Sequence, residues 1–222
     1  MGVRLTLAPP DAGSTRPLKW TDSVVVGDFA NSTGDAVFDG TLRQGLQSQL
    51  ERSPYLNLVS DTRIAQTLAL MARPQDTPLA PPVAREICAR TGSAATIDGS
   101  IASIGQQYVL HLSAANCKTG DVLASEQVTA PEKEKVLAAL GDAAAHLRDR
   151  LGESLTGMTV NEAPPENVTT TSLEALQAYS IGYRHLLVDN ESVRASPFFA
   201  RAIALDPKFA MRRRAPWRRD SA

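Results

Sequence analysis

Hydrophobic positions along the chain change period twice, and the changes divide it. The first firm element is SVVVGDFA (residues 23–30), whose three consecutive valines predict a strand buried on both faces. The polar turn NSTGD (31–35) follows, and a helix is expected over 37–52, with Phe38, Leu42, Leu46 and Leu50 near helical spacing and Ser53-Pro54 as its stop. Leu56 and Leu58 share one face of a short strand at 55–59. Ser60 or Asp61 then caps a helix striped by Ile64, Leu68 and Met71. A proline-rich loop spans 74–82, and a third helix over 83–90 ends at Gly92. From Ala94 the period becomes two, predicting strands at 94–104, 108–116 and 122–129 joined by tight turns. Pro131 opens a helix over 132–151 striped by Val136, Leu140, Ala144 and Leu147.

The resulting order, β-α-β-α-α-β-β-β-α, predicts an α/β domain over 22–152, a two-layer sandwich with a mixed sheet. Residues 1–21, with Pro9, Pro10, Gly13 and Pro17, read as a linker or lead-in, and 153–170, with Pro164 and Pro165, as a second linker. Thr171 and Glu174 form an expected capping box, after which helical spacing resumes at 173–188 and 193–205. These two segments predict an antiparallel α-helical hairpin, with Tyr179, Gly182 and Tyr183 facing Phe199, Ala202 and Ile203. Gly182 and Ala202 are small where the helices would cross. An isolated hairpin leaves one apolar face uncovered, so it is expected to be marginal.

Composition narrows the function classes. The 222 residues are 43% hydrophobic and 21% charged, enough for a core, while aromatics at 5% argue against a base-stacking platform. No apolar run approaches the roughly 20 residues that cross a bilayer, and no secretory signal is visible at the amino terminus. The whole chain carries a net charge of −1, yet residues 211–222 hold five arginines against Asp220, so the body before them is mildly acidic. Nucleic-acid binding would therefore rest on the arginine tail alone, which reads as a solvated or truncated end.

Catalytic constellations are sparse. The turn after the first strand lacks the lysine of a phosphate-binding loop. Asp28 ends that strand where α/β proteins often place acids, and Asp35 and Asp39 lie close in sequence; a small α/β enzyme built on these three is the competing reading. His111, His146 and His185 form no ligand pair, so neither a metal nor a cofactor is expected. Cys88 and Cys117 are too far apart for a CxxC motif. They read either as a disulfide or as two buried thiols.

Two resemblances add to this. Residues 175–209 resemble one tetratricopeptide repeat. Ala178, Ile181 and Gly182 match its first helix; Ala195, Phe199, Ala202 and Pro207 match the second and its stop; and AIALDPKFA (202–210) is the most specific stretch. His185 departs from the usual aromatic. One repeat cannot bury its own face, so more are expected to follow. Residues 22–152, through VVVGDFANSTGD (24–35), FDGTLRQGL (38–46), RTGSAATIDGSI (90–101), NCKTGD (116–121) and LGESL (151–155), resemble the TolB amino-terminal and FlgO-like domain. That domain is found after the membrane helix of bacterial membrane-anchored serine/threonine kinases and related tetratricopeptide proteins. The resemblance implies a non-catalytic cell-envelope module, extracytoplasmic in its parent architecture, with protein partners. No kinase motif is present in this chain.

Overall fold

The computed structural model describes residues 22–53, 56–151, 170–187 and 191–209. The expected lead-in 1–21, the tail 211–222 and all of the linker but Thr170 lie outside the described residues. Strand β1 (Ser23–Asn31) holds Val24, Val25 and Val26, none more than 1% exposed. Its neighbours explain that burial. The sheet order is β2-β1-β3-β4-β5, with β2 (Asn57–Leu58) and β3 (Ala95–Ile104) parallel to β1. Strands β3, β4 (Gln107–Asn116) and β5 (Val122–Ala130) then form an antiparallel meander. This is the expected mixed α/β sheet.

Layer number is the correction. Consecutive valines point to opposite faces, and each face has its own helices. Val24 and Val26 pack with Leu42, Leu46 and Leu50 of α1 (Thr41–Leu50) and with Val136, Leu140 and Leu147 of α4 (Val136–Arg150). Val25 packs on the other side with Ile64 and Leu68 of α2 (Asp61–Leu70), with Leu79, and with Ala84 and Ile87 of α3 (Pro81–Thr91). The sheet therefore lies between two helical layers, making three layers rather than two. Two helix starts also move. Residues Ala36–Phe38 form a single 3₁₀ turn, and Gly40 at φ 69° breaks the path before α1 begins. A second such turn, Lys133–Lys135, precedes α4.

Helices α5 (Leu173–Leu187) and α6 (Ser192–Leu205) form the expected hairpin. Its N-cap is Ser172 rather than Thr171: the Ala175 N–H donates to Ser172 Oγ at 3.1 Å. Tyr179 meets Phe199 with ring centroids 5.4 Å apart. Gly182 abuts Ala195, Phe198 and Phe199, while Tyr183 stacks on Tyr179 and turns toward the α/β domain. The hairpin is not left with a bare face. Leu173 is part of the α1–α4 core, and Leu176 packs over Gly45, where a Cβ would lie 3.3 Å from its methyl. Gln177 Nε2 donates to the Ala36 carbonyl at 3.2 Å, and Lys133 Nζ sits 2.8 Å from Asp35 and 3.9 Å from Glu174.

Gly182 is where the hairpin is tightest: a Cβ there would stand 3.1 Å from the Ala195 carbonyl and 3.0 Å from the Phe199 ring, so its neighbours would have to give way. Gly182→Leu should push α6 off α5 and destabilise the protein by roughly 1–3 kcal/mol, as overpacking does. Urea unfolding followed by far-ultraviolet circular dichroism measures this; an unchanged midpoint would mean that the helices do not cross at Gly182.

Candidate functional site

The parallel strands end at one side of the sheet, where ligands of open α/β folds commonly bind. Short of that end, inside β1, the β1–β3 register slips between Val26 and Phe29, placing Gly27 and Asp28 in a bulge, so Asp28 lies within the strand rather than at its end. A bulge re-aims the side chain it carries. Asp28 consequently faces the segment between α2 and α3, receiving the Leu79 N–H on Oδ2 at 2.7 Å while its own N–H donates to the Leu79 carbonyl at 3.0 Å.

Arg43 of α1 reaches the same place. Its Nε donates to the Val26 carbonyl at 3.1 Å and lies 3.6 Å from Asp28 Oδ1; its Nη2 donates to Asp61 Oδ1 at 2.6 Å. Asp61, the first residue of α2, also accepts from Gln47 Nε2 at 3.3 Å. The two Arg43 and Asp61 side chains are each 16% exposed, so this pair is largely shielded from water. Around it opens a cleft of about 220 Å³, lined by Ile64 and Leu68 of α2, by residues 75–79 of the segment that follows, and by Tyr183, Arg184 and Leu187 of α5. Burial first, then the charges of Asp61 and Glu51, push the Tyr183 phenol up to about 12, with Arg43 acting against them. It stays protonated at neutral pH.

Of the three acids expected for an enzyme, one lines the cleft and the other two meet Asn31 in the turn beyond it. Asp28 lines the cleft; Asp35 and Asp39 belong to the turn beyond the strand. Asp35 caps the 3₁₀ turn by accepting from the Val37 N–H at 3.0 Å, and its hydrogen bond with Lys133 holds its carboxyl below the usual range. Asp39 accepts from Asn31 Nδ2 at 2.8 Å. Sequence reasoning missed Arg43 and Asp61. The available signals were a cation flanking the apolar stripe of α1 and an acid opening α2. It also passed over Asp98 of β3, whose Oδ2 accepts from Thr96 Oγ1 at 3.2 Å while Oδ1 is buried without a hydrogen-bond partner. Burial raises the Asp98 carboxyl above its usual range; the Thr96 hydrogen bond works against this and the Asp28 charge adds to it.

Cys88 of α3 and Cys117, after β4, are joined by a disulfide with Cα atoms 6.0 Å apart. Arg85 Nε donates to the Cys117 carbonyl at 3.1 Å beside it. Ala178, Gly182, Ala195, Phe199 and Ala202 are buried between α5 and α6, and Pro207 follows α6. Among the described residues no cluster of three or more metal-ligating side chains occurs, and no helix is long and apolar enough to cross a membrane.

Arg43→Met should leave Asp61 without its cation in a shielded site and destabilise the protein by roughly 3 kcal/mol, as breaking a buried pair does. Asp28→Asn keeps an acceptor for the Leu79 N–H and should lower stability by about 1 kcal/mol or less. Denaturant titration of both variants gives the comparison, and equal effects would refute the ranking.

No family model and no curated protein matches the sequence. Among solved structures the chain is similar to the LpoB C-terminal domain from Salmonella enterica, at 15% identity and TM-score 0.47 over 55% of this chain and 88% of that one. It is similar to lipoprotein GNA1162 from Neisseria meningitidis at 14% identity and TM-score 0.43, over 57% and 96% of the respective chains. TolB from Acinetobacter baumannii matches at 15% identity and TM-score 0.39 over 62% of this chain and 29% of that one. At these scores the likenesses establish neither family nor function.

Proposed function

We propose that the chain is a non-catalytic interaction or sensory module of the bacterial cell envelope. In this reading it is part of a membrane-anchored signalling protein, a kinase or a tetratricopeptide protein, and binds other proteins through its helical end. The observation that carries the reading is the division of apolar residues in the hairpin. The positions matching a tetratricopeptide repeat, Ala178, Gly182, Ala195, Phe199 and Ala202, are buried within it. Val193 and Leu205 on α6 instead face solvent, at 85% and 44% exposure. A further helix or a partner protein would cover them as one repeat covers the next.

Two other features support it. Asp28, Asp35 and Asp39 each hold backbone or side-chain partners that shape the strand end, so they act as structural acids. The Cys88–Cys117 bridge suits an oxidising compartment, which favours an extracytoplasmic location.

A photo-crosslinking amino acid at Val193 or Leu205, in the full chain exported to the envelope, should give a discrete protein adduct. The same probe at Leu70 on α2, itself 82% exposed, should give none. Adducts at Leu70 alone, or none at either α6 position, would contradict the proposal.

A further inference from the structure

The segment of residues 71–80 between α2 and α3 brings residues 75–79 into the lining of the cleft and is tied to the sheet at Leu79. Two hydrogen bonds make that tie, both to Asp28, and the Leu79 side chain anchors it in the second core at 5% exposure. Directly beneath lies Gly27. A Cβ on Gly27 would collide with Asp98 Oδ1 and would stand 3.0 Å from the Leu79 carbonyl oxygen. Asp98 Oδ1 and the Leu79 carbonyl thus crowd round one side-chain-sized space that only glycine leaves open. Both are acceptors when Asp98 is ionised, and among the described residues no donor reaches Oδ1. Protonation changes this: a carboxylic acid becomes a donor as well as an acceptor.

We propose that Asp98 is a proton-operated latch for the 71–80 strap. With its proton, Asp98 lets the strap rest on β1; when the proton leaves for solvent, an unpartnered charge beside Asp28 and the Leu79 carbonyl loosens the strap and opens that side of the cleft. The inference is independent of whether α6 binds a partner.

The surrounding charges are accounted for. Asp28 of β1 acts on Asp98 directly, and Arg43 of α1 lies 3.6 Å from Asp28 but is held by Asp61 of α2. Of the strap's charged residues, Arg73 faces Glu86 of α3 at 3.5 Å, and Asp76 is exposed. On α3, Arg85 is bound to the carbonyls of Cys117 and Lys118, while Glu86 also pairs with Arg90. His111 of β4 lies opposite Ser100, two residues along β3 from Asp98. None of these supplies Asp98 with a counter-charge. The sign follows: because the folded state holds the Asp98 proton more tightly than the unfolded chain does, the tie is strongest on the acid side. It weakens as pH rises from the ordinary carboxylate range through the raised pKa.

Amide hydrogen exchange of the full chain between pH 4 and 8, corrected for intrinsic rates, tests the latch at the Leu79 and Asp28 N–H groups. Protection should fall with rising pH, by about tenfold for each unit by which Asp98 is raised, while Val25 stays unchanged. Asp98→Asn should abolish the pH dependence. Thr96→Val removes the hydrogen bond that favours the charged form and should shift the transition to higher pH. Flat protection in the unaltered protein, a persisting transition in Asp98→Asn, or an unmoved midpoint in Thr96→Val would each overturn the proposal.

Discussion

The fold turns on a partly buried guanidinium. Arg43 joins three elements that share no covalent neighbourhood: the middle of β1 through the Val26 carbonyl, α2 through Asp61, and α1, which carries it. A cation in so shielded a place is stable only with its partners held still. Asp61 is held by its position at the head of α2, where Ser60 caps the helix, and by Gln47. The bulge at Gly27–Asp28 then follows as the device that turns the strand's last acid toward both Arg43 and the Leu79 backbone. The helical layers on opposite faces of the sheet are thereby stitched together around the bulge in β1, and the cleft lies between that stitch and α5.

The carboxylates of this region divide by environment. Asp35, near the surface and hydrogen-bonded to a lysine, is pulled toward its ionised form; Asp98, buried and offered only a threonine hydroxyl, is pushed toward its neutral one. A third acid, Glu126 of β5, points inward with its side chain 10% exposed and pairs with Arg150 at the end of α4. It lies at the middle of an edge strand whose outer side meets no other described strand, and an inward charge of this kind discourages edge-to-edge pairing. The acids that line the cleft are Asp28, Asp61 and Asp76. Of these, Asp28 has partners in different parts of the chain, the Leu79 backbone and Arg43 of α1.

Much of the α/β architecture was legible because period and punctuation agree. The change to alternation near Ala94 announced the β3–β5 meander, and the turns at Gly105 and Gly120 have the positive φ their sequences imply. Three valines in a row announced burial on both sides of β1, which already required a third layer; pattern alone did not say which helices would supply it. Helix starts were misplaced where a 3₁₀ turn continues helical spacing without a helix, as at Val37 and Phe38. The hairpin's docking was not legible, because Gly45 is silent in any hydrophobic pattern; its lack of a side chain is what lets Leu176 settle on α1. The cluster around Arg43 was missed for a related reason. Its residues lie far apart in the chain, and each alone resembles an ordinary surface charge.

Central here is that Arg43 and Asp61 act as one unit in joining the layers beside the β1 bulge. A double-mutant cycle on folding stability, with Arg43→Met, Asp61→Asn and the pair together, measures that directly. The account predicts a coupling of roughly 1–3 kcal/mol, the double variant losing much less than the two single losses combined. Additivity within about 0.5 kcal/mol would contradict it, showing two independent surface charges where the structure places a shared anchor.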